Sequence, residues 1–329
     1  TSTSGHKLID FNDFDNNSFH VVTELPYQNG DDSFRPDIIL LINGMPLAFV
    51  EVKKPNNQKG IKAEEDRMEK RFKNRKFRHF ANMTQLMVFS NNMPYDEDSL
   101  VKVMGAFYAT PSYGKHTFNY FREEEIFDLD EVLAPENDAI ENVILRDTNL
   151  SVIKSRPEFI TNKSPTTATN KLSTSLFSRE RLAFMLKYSI AYVKEKHGYE
   201  KHVMRYPQIF ATKSIEKQLR DDAKQGIIWH TQGSGKTALT YFNVKYLTDY
   251  YSSQGIVPKF YFIVDRLDLL LQAKKEFSSR GLTVKTINSK SDFAKEIKSN
   301  AATHNLSGNA EITVVNIQKF SEDLSLIHI

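Results

Sequence analysis

The chain has 329 residues, of which 40% are hydrophobic and 26% charged, ordinary shares for a globular protein long enough for two cores. Having no cysteine excludes disulfides, thiolate metal sites and thiol nucleophiles, and suits the reducing cytoplasm; no apolar run reaches the ~18–20 residues of a membrane span. A net charge of +3 leaves any nucleic-acid affinity to local patches. The Ser/Thr-rich start is no signal peptide and has no initiator Met. With SEDLSLIHI stopping just after a strand-like run, the chain is expected to be a fragment.

In chain order, the first strong signal is RPDIILLINGMPLAFVEVKKP at residues 35–55. Two apolar runs flank Asn43-Gly44, which predicts a hairpin. Strand alternation puts Glu51 and Lys53 on one face with Val52 on the other. A plain two-residue turn would set Asp37 opposite Val50, pointing away from Glu51. An odd-length loop or a bulge would bring Asp37 onto the Glu51/Lys53 face. A carboxylate in apolar surroundings is costly unless paired, so this hairpin is either a salt-bridged core or a metal site. The metal reading requires a three-residue turn or a bulge.

The residue types suit hydrolytic nuclease chemistry. Asp37 and Glu51, with the Val52 carbonyl, offer the hard oxygen ligands that Mg²⁺ takes. Lys53 is placed to orient or deprotonate a metal-activated water and to stabilise the transition state. Pro36-Asp37, thirteen residues, then Glu51-Val52-Lys53 matches the PD-(D/E)xK pattern of restriction-like nucleases. The plainer reading is a structural ion pair.

Next, GIKAEEDRMEKRFKNRKFRHF gathers Lys62, Arg67, Lys70, Arg71, Lys73, Arg75, Lys76 and Arg78 into seventeen positions, interleaved with Phe72, Phe77 and Phe80. An amphipathic helix is expected, phenylalanines inward, with its basic face either solvated or laid on a DNA backbone. The acidic run FREEEIFDLDE (121–131) reads as a solvated loop or helix face, and His79 and His116 as polar residues without catalytic roles. TNKSPTTATNKLSTS, residues 161–175, is nearly free of apolar residues and reads as a linker. Before it the pattern is α+β.

After it strands and helices alternate, which argues for α/β with a parallel sheet. Strands are expected at GIIWH (226–230), KFYFIVD (259–265), LTVKTI (282–287) and EITVVNI (311–317). Helices are expected from Lys236 to about Tyr250, from Leu267 to Phe277 and near 291–299. WHTQGSGKT, residues 229–237, follows a strand and opens a helix, the setting a phosphate-binding loop requires. Backbone N–H groups of Gly233, Ser234 and Gly235, preceded by Thr231 and Gln232, can wrap a β-phosphate. Lys236 reaches the β/γ-phosphates and Thr237 binds Mg²⁺, so ATP and Mg²⁺ are the expected cofactors. His230 stands where the standard pattern has Gly, and Trp229 is expected to pack beneath the loop. Upstream, RYPQIFA (205–211) precedes a helix expected at 213–224 and suits adenine recognition, by stacking of Tyr206 and an amide contact from Gln208. Asp265-Arg266 lies at a strand's carboxyl end, where ligands bind in such sheets.

Taken together, RPDIILLINGMPLAFVEVKKP, MTQLMVFSNN, RYPQIFA, WHTQGSGKT, FIVDRLDLLLQ and VVNIQKF, in this order, resemble HsdR, the restriction (R) subunit of type I restriction-modification enzymes. The resemblance implies a restriction-endonuclease-like domain at 1–160, the linker at 161–175, and at 176–329 the first RecA-like lobe of a superfamily-two helicase motor, cut before its Walker B box. It implies Asp37, Glu51 and Lys53 as the nuclease triad, Gly233, Gly235, Lys236 and Thr237 as the Walker A loop, and Gln208 as the adenine-reading glutamine. The implied activity is ATP-driven translocation and cleavage of unmethylated double-stranded DNA beside methyltransferase (M) and specificity (S) subunits. Many such nucleases carry a Gln-x-x-x-Tyr element after the Lys; AEEDRMEKRF has none. Two other readings stand beside this one: a repair-type helicase–nuclease acting on DNA ends, and a non-catalytic, nucleotide-gated DNA-binding scaffold.

Overall fold

The computed structural model describes residues 7–55, 59–95, 98, 102, 104–135, 137–299 and 310–318. SEDLSLIHI lies outside them. Contacts divide the chain into two units, Thr1–Lys187 and Tyr188–Ile329.

The first unit runs β1 (Phe19–Thr23), β2 (Tyr27–Asn29), β3 (Asp32–Phe34), β4 (Ile38–Ile42), β5 (Met45–Val52), α1 (Gly60–Lys73), α2 (Arg78–Met83), β6 (Leu86–Ser90), β7 (Ala106–Ala109) and β8 (Asn119–Tyr120). Then come α3 (Leu129–Val132), α4 (Asp138–Asp147), α5 (Pro157–Asn162), α6 (Ala168–Phe177) and α7 (Arg179–Tyr188). Six strands form one mixed sheet in the order β1-β4-β5-β6-β7-β8, in which β5 and β6 are the parallel pair. Helix α1 is the crossover such a pair needs. Its Ile61, Met68 and Phe72, with Phe77 and Phe80 beyond it, bury against Phe34, Ile39, Phe49 and Phe89. Edge-on ring contacts such as Phe34–Phe80 at 4.8 Å add specificity to that apolar burial. The expected inward phenylalanines are thus found.

Two expectations fail in this unit. Most of the segment read as a linker is helix α6, which buries Leu172, Ser175 and Leu176. Its apolar face is only two leucines one turn apart among threonines and serines, too narrow for composition to reveal. The acidic run is not simply solvated: Glu123 and Glu125 pair with the Arg181 guanidinium, whose side chain is 1% exposed.

The second unit opens on an unanticipated antiparallel hairpin, β9 (Ile190–Glu195) and β10 (Gly198–Val203). Then come α8 (Tyr206–Arg220), α9 (Lys236–Ser252), β11 (Tyr261–Val264), α10 (Leu267–Ser279), β12 (Thr283–Ile287), α11 (Lys290–Lys298) and β13 (Glu311–Asn316). The last three strands form a parallel sheet ordered β11-β13-β12, with α10 as crossover. The α/β expectation is met here, with one exception. GIIWH forms no strand: among the described residues it has no ladder, and Ile227 and Trp229 are 91% and 90% exposed. An apolar run supplies side chains for a strand but not a partner for its backbone. Trp229 therefore does not pack beneath the loop. Helix α8 also starts earlier than expected, at Tyr206. Pro207 fits the first turn, where no N–H is needed, and the Gln208 Oε1 accepts from the Arg205 N–H at 2.9 Å.

Candidate active site

The β4–β5 hairpin turns on Asn43 and Gly44, both at positive φ (50° and 79°), with Ile42 paired to Met45. This is the tight two-residue turn. Three residues up the strand the register slips: Leu41 faces Pro46, but Leu40 faces Ala48. Leu47 is the extra residue of a β-bulge. Pro46 explains its place, because a proline has no N–H to give the ladder and is tolerated at bulges. Beyond the bulge Ile39 faces Phe49, so continuing the register sets Asp37 level with Glu51 on the face covered by α1. The bulge does what the turn alone does not.

At this mouth the Asp37 Oδ2 accepts from the Val52 N–H at 2.6 Å. Lys53 Nζ lies 3.4 Å from Glu51 Oε2 and 3.9 Å from both Asp37 Oδ2 and Glu64 Oε2. Glu51 is only 2% exposed, yet it is charge-balanced. Arg67 Nη2 donates to its Oε2 at 2.7 Å, and Arg71 Nη1 to its Oε1 at 3.2 Å. Arg67 also donates to Glu64, from Nε at 2.7 Å. Three carboxylates therefore meet three cations. Burial pushes the Glu64 carboxyl up against the pull of Arg67, and burial likewise lowers Arg71, which stacks 4.4 Å from the Phe34 ring centre.

Glu64, Arg67 and Arg71 were not singled out from the sequence as parts of this site. The signal was available: the buried face of α1 reads Ile61, Glu64, Met68, Phe72, and a glutamate inside that apolar stripe demands a partner. Two residues of the supposed basic face, Arg67 and Arg71, are committed to Glu51 here.

Among the described residues no group of three or more His, Asp or Glu side chains is set to hold a metal ion. The set at issue is smaller, two carboxylates and a backbone carbonyl. Asp37 fits the role of a ligand: its side chain is 39% exposed, and among the described residues its Oδ1 accepts no hydrogen bond. Glu51 fits by chemistry, with both oxygens held by guanidinium groups in this state.

In the second unit, Gly233 and Gly235 take positive φ (77° and 85°), and Gly235 caps α9 without any side-chain hydrogen bond. The first-turn N–H groups of α9 are left without a side-chain cap, as an anion site at a helix N-terminus requires. Among the described residues the buried Ser234 hydroxyl has no hydrogen-bond partner, an orphan that a bound phosphate would relieve. Lys236 Nζ donates to the carbonyls of His230 and Thr231, each at 3.1 Å. Thr231 and Gln232 are exposed and Thr237 is half-buried. Gln208 is 3% exposed, and its Nε2 donates to the Gly235 carbonyl at 3.0 Å. Arg205 donates to the Gly233 carbonyl at 3.3 Å. The start of α8 thus braces the glycine loop, and the amide expected to read adenine is spent on that brace and on its own helix cap. Asp265 follows β11, and Arg266 is paired with Asp268.

Residues 1–95 match the family "Type I restriction enzyme R protein N terminus", and residues 201–328 match "Type III restriction enzyme, res subunit". The "Putative type I restriction enzyme MjaVIIP endonuclease subunit" of Methanocaldococcus jannaschii is 27% identical over 336 residues, 97% of this chain and 27% of the relative. The type I restriction enzyme SauCOLORF180P endonuclease subunit of Staphylococcus aureus is 38% identical over 87 residues, 26% of this chain and 9% of that one. The SsaAORF53P endonuclease subunit of Staphylococcus saprophyticus is 35% identical over 121 residues, 36% of this chain and 12% of that one. The chain spans about a quarter of the length of the archaeal relative. With both family matches in the expected order, the chain is an HsdR-like protein, similar to the endonuclease subunits of type I restriction enzymes.

Proposed function

We propose that this chain carries the nuclease and nucleotide-binding parts of the restriction subunit of a type I restriction-modification enzyme. The first unit would be its restriction-endonuclease-like domain and the second its first RecA-like motor lobe. The whole subunit would translocate double-stranded DNA with ATP and cut it when unmethylated, alongside methyltransferase and specificity subunits. The observation that carries this reading is the Leu47 bulge, which sets Asp37 level with Glu51 and Lys53.

Asp37, Glu51 and the Val52 carbonyl would hold Mg²⁺, which when bound supplies a low-pKa water and neutralises phosphate charge. Lys53 reaches both carboxylates, so its ammonium would lie beside the scissile phosphate and steady the charge that builds on it. Phe49 and the buried flanks of β5 hold Glu51 rigid and keep bulk water from its inner side. In the second unit Lys236 would leave the His230 and Thr231 carbonyls for the β/γ-phosphates of ATP. Thr237 would hold the accompanying Mg²⁺, while Gly233, Ser234 and Gly235 offer backbone N–H groups.

The test is cleavage of a supercoiled, unmethylated plasmid by the full-length subunit with its partner subunits, with and without ATP. Lys53→Ala and Lys236→Ala should each abolish cutting. Cutting that survives Lys53→Ala removes the hairpin from the active site, and cutting without ATP breaks the motor reading.

A further inference from the structure

We infer that Arg67 is a latch on the nuclease centre: it neutralises Glu51 and Glu64 while no cation is bound, and becomes a DNA-phosphate contact once a divalent cation takes Glu51. Resting on the assignment of Asp37 and Glu51 as nuclease ligands, this adds a residue that no sequence pattern supplies.

The three basic groups around Glu51 are not equivalent. Arg71 is sandwiched by Phe34 and Glu51, with 12% of its side chain exposed, and is fixed in place. Lys53 sits at the strand end, 23% exposed. Arg67 alone of the three is substantially open, 44% exposed, and yet makes the shortest bond to Glu51, 2.7 Å. It also grips Glu64 one helical turn earlier, so a single guanidinium spans both buried carboxylates. A planar fork suits that task, and the same fork suits a phosphate. A divalent cation on Glu51 and the Arg67 guanidinium compete for the same Oε2 oxygen. Once displaced, the guanidinium keeps its stem on α1 and needs only side-chain rotation to face solvent. Glu64 is the anchor that brings it back, and this is why a glutamate occupies the apolar stripe of α1. Compensation within the protein explains how so buried a carboxylate survives before metal arrives, since an unpaired one is strongly destabilising.

Mn²⁺ binding by the full chain, followed by the electron paramagnetic resonance of the free ion, tests this without cleavage. Arg67→Ala should bind Mn²⁺ about tenfold more tightly, the scale of a charge-assisted hydrogen bond discounted for solvent exposure. Arg67→Lys should fall between the two, and Lys73→Ala, which removes an exposed charge bonded to Glu69, should match the parent. Duplex DNA affinity should rise when Ca²⁺ replaces EDTA in the parent and rise less in Arg67→Ala. Unchanged Mn²⁺ affinity in Arg67→Ala, with affinity lost in Glu51→Gln, overturns the latch and leaves the nuclease site standing. Unchanged affinity in Glu51→Gln overturns the site itself.

Discussion

Glu51→Gln is the sharpest probe of the ion cluster because it keeps shape and removes one charge. Glu51 is 2% exposed and takes bonds from Arg67, Arg71 and Lys53. The amide would turn its NH2 toward one guanidinium and leave two carboxylates against three cations. Removing one partner of a buried pair costs about 3–5 kcal/mol. Arg67, 44% exposed, can turn to water, so its share falls to the roughly 0–1 kcal/mol of a surface pair. Arg71, 12% exposed and wedged on Phe34, cannot. A net loss of about 2–4 kcal/mol follows, which for a unit of this size lowers its melting temperature by about 5–15 °C. Calorimetry of the metal-free chain, with hydrogen exchange of β5 and α1 to place the effect, measures it. Adding Arg71→Met should recover part of the loss in a double-mutant cycle. A single variant as stable as the parent would refute the claim that these charges are desolvated and mutually dependent.

Three further outcomes are expected. Deleting Leu47 straightens the ladder but keeps Leu40 opposite Ala48 and Asp37 level with Glu51, so circular dichroism melting should show a cooperative transition, lowered by the loss of one buried leucine, about 2–5 kcal/mol; loss of the cooperative transition would contradict that register. Gly235→Ala puts a Cβ 2.6 Å from Gln208 Nε2 at φ +85°, so it should cost about 1–3 kcal/mol and weaken ATP binding, with Gln208→Ala relieving the clash but not the backbone strain; calorimetric ATP titration reads both. Burial lowers the Lys201 ammonium from 10.5 to about 7. Between those values the unfolded chain holds a proton the folded one lacks, so stability should rise with pH from about 7 to 10 and be lost as pH falls back. Lys201→Met should flatten that slope and raise stability at pH 6, by at most about 3–5 kcal/mol; equal denaturation midpoints for both proteins at pH 6 and 9 would refute it.

Where patterns are local, the sequence was legible. The glycines of the loop at 229–237, the parallel strands β11, β12 and β13 and the inward Phe72, Phe77 and Phe80 are visible as spacing. The requirement for a bulge was also legible, since Asp37 and Glu51 share a face only with an odd residue between strands. Its position was not: the turn residues drew attention, whereas Pro46 marks where the ladder breaks. The partners of Glu51 come from α1, and that long-range pairing depends on how the crossover helix lies on the sheet. GIIWH and α6 fail for opposite reasons. One has strand composition and no partner strand among the described residues; the other has loop composition and a two-leucine face that finds a surface to bury against. Gln208 shows a third kind of gap, because its brace on the Gly235 carbonyl is a long-range contact that no local spacing reveals.

The central claim is that the β4–β5 hairpin presents one divalent-cation site at Asp37 and Glu51. Anomalous scattering from crystals soaked in Mn²⁺ tests it most directly. The account predicts a peak within roughly 2.5 Å of carboxylate oxygens from both residues and of the Val52 carbonyl, with Arg67 turned away from Glu51. No peak there at saturating Mn²⁺, with Arg67 still bonded to Glu51, would make the cluster a structural ion pair.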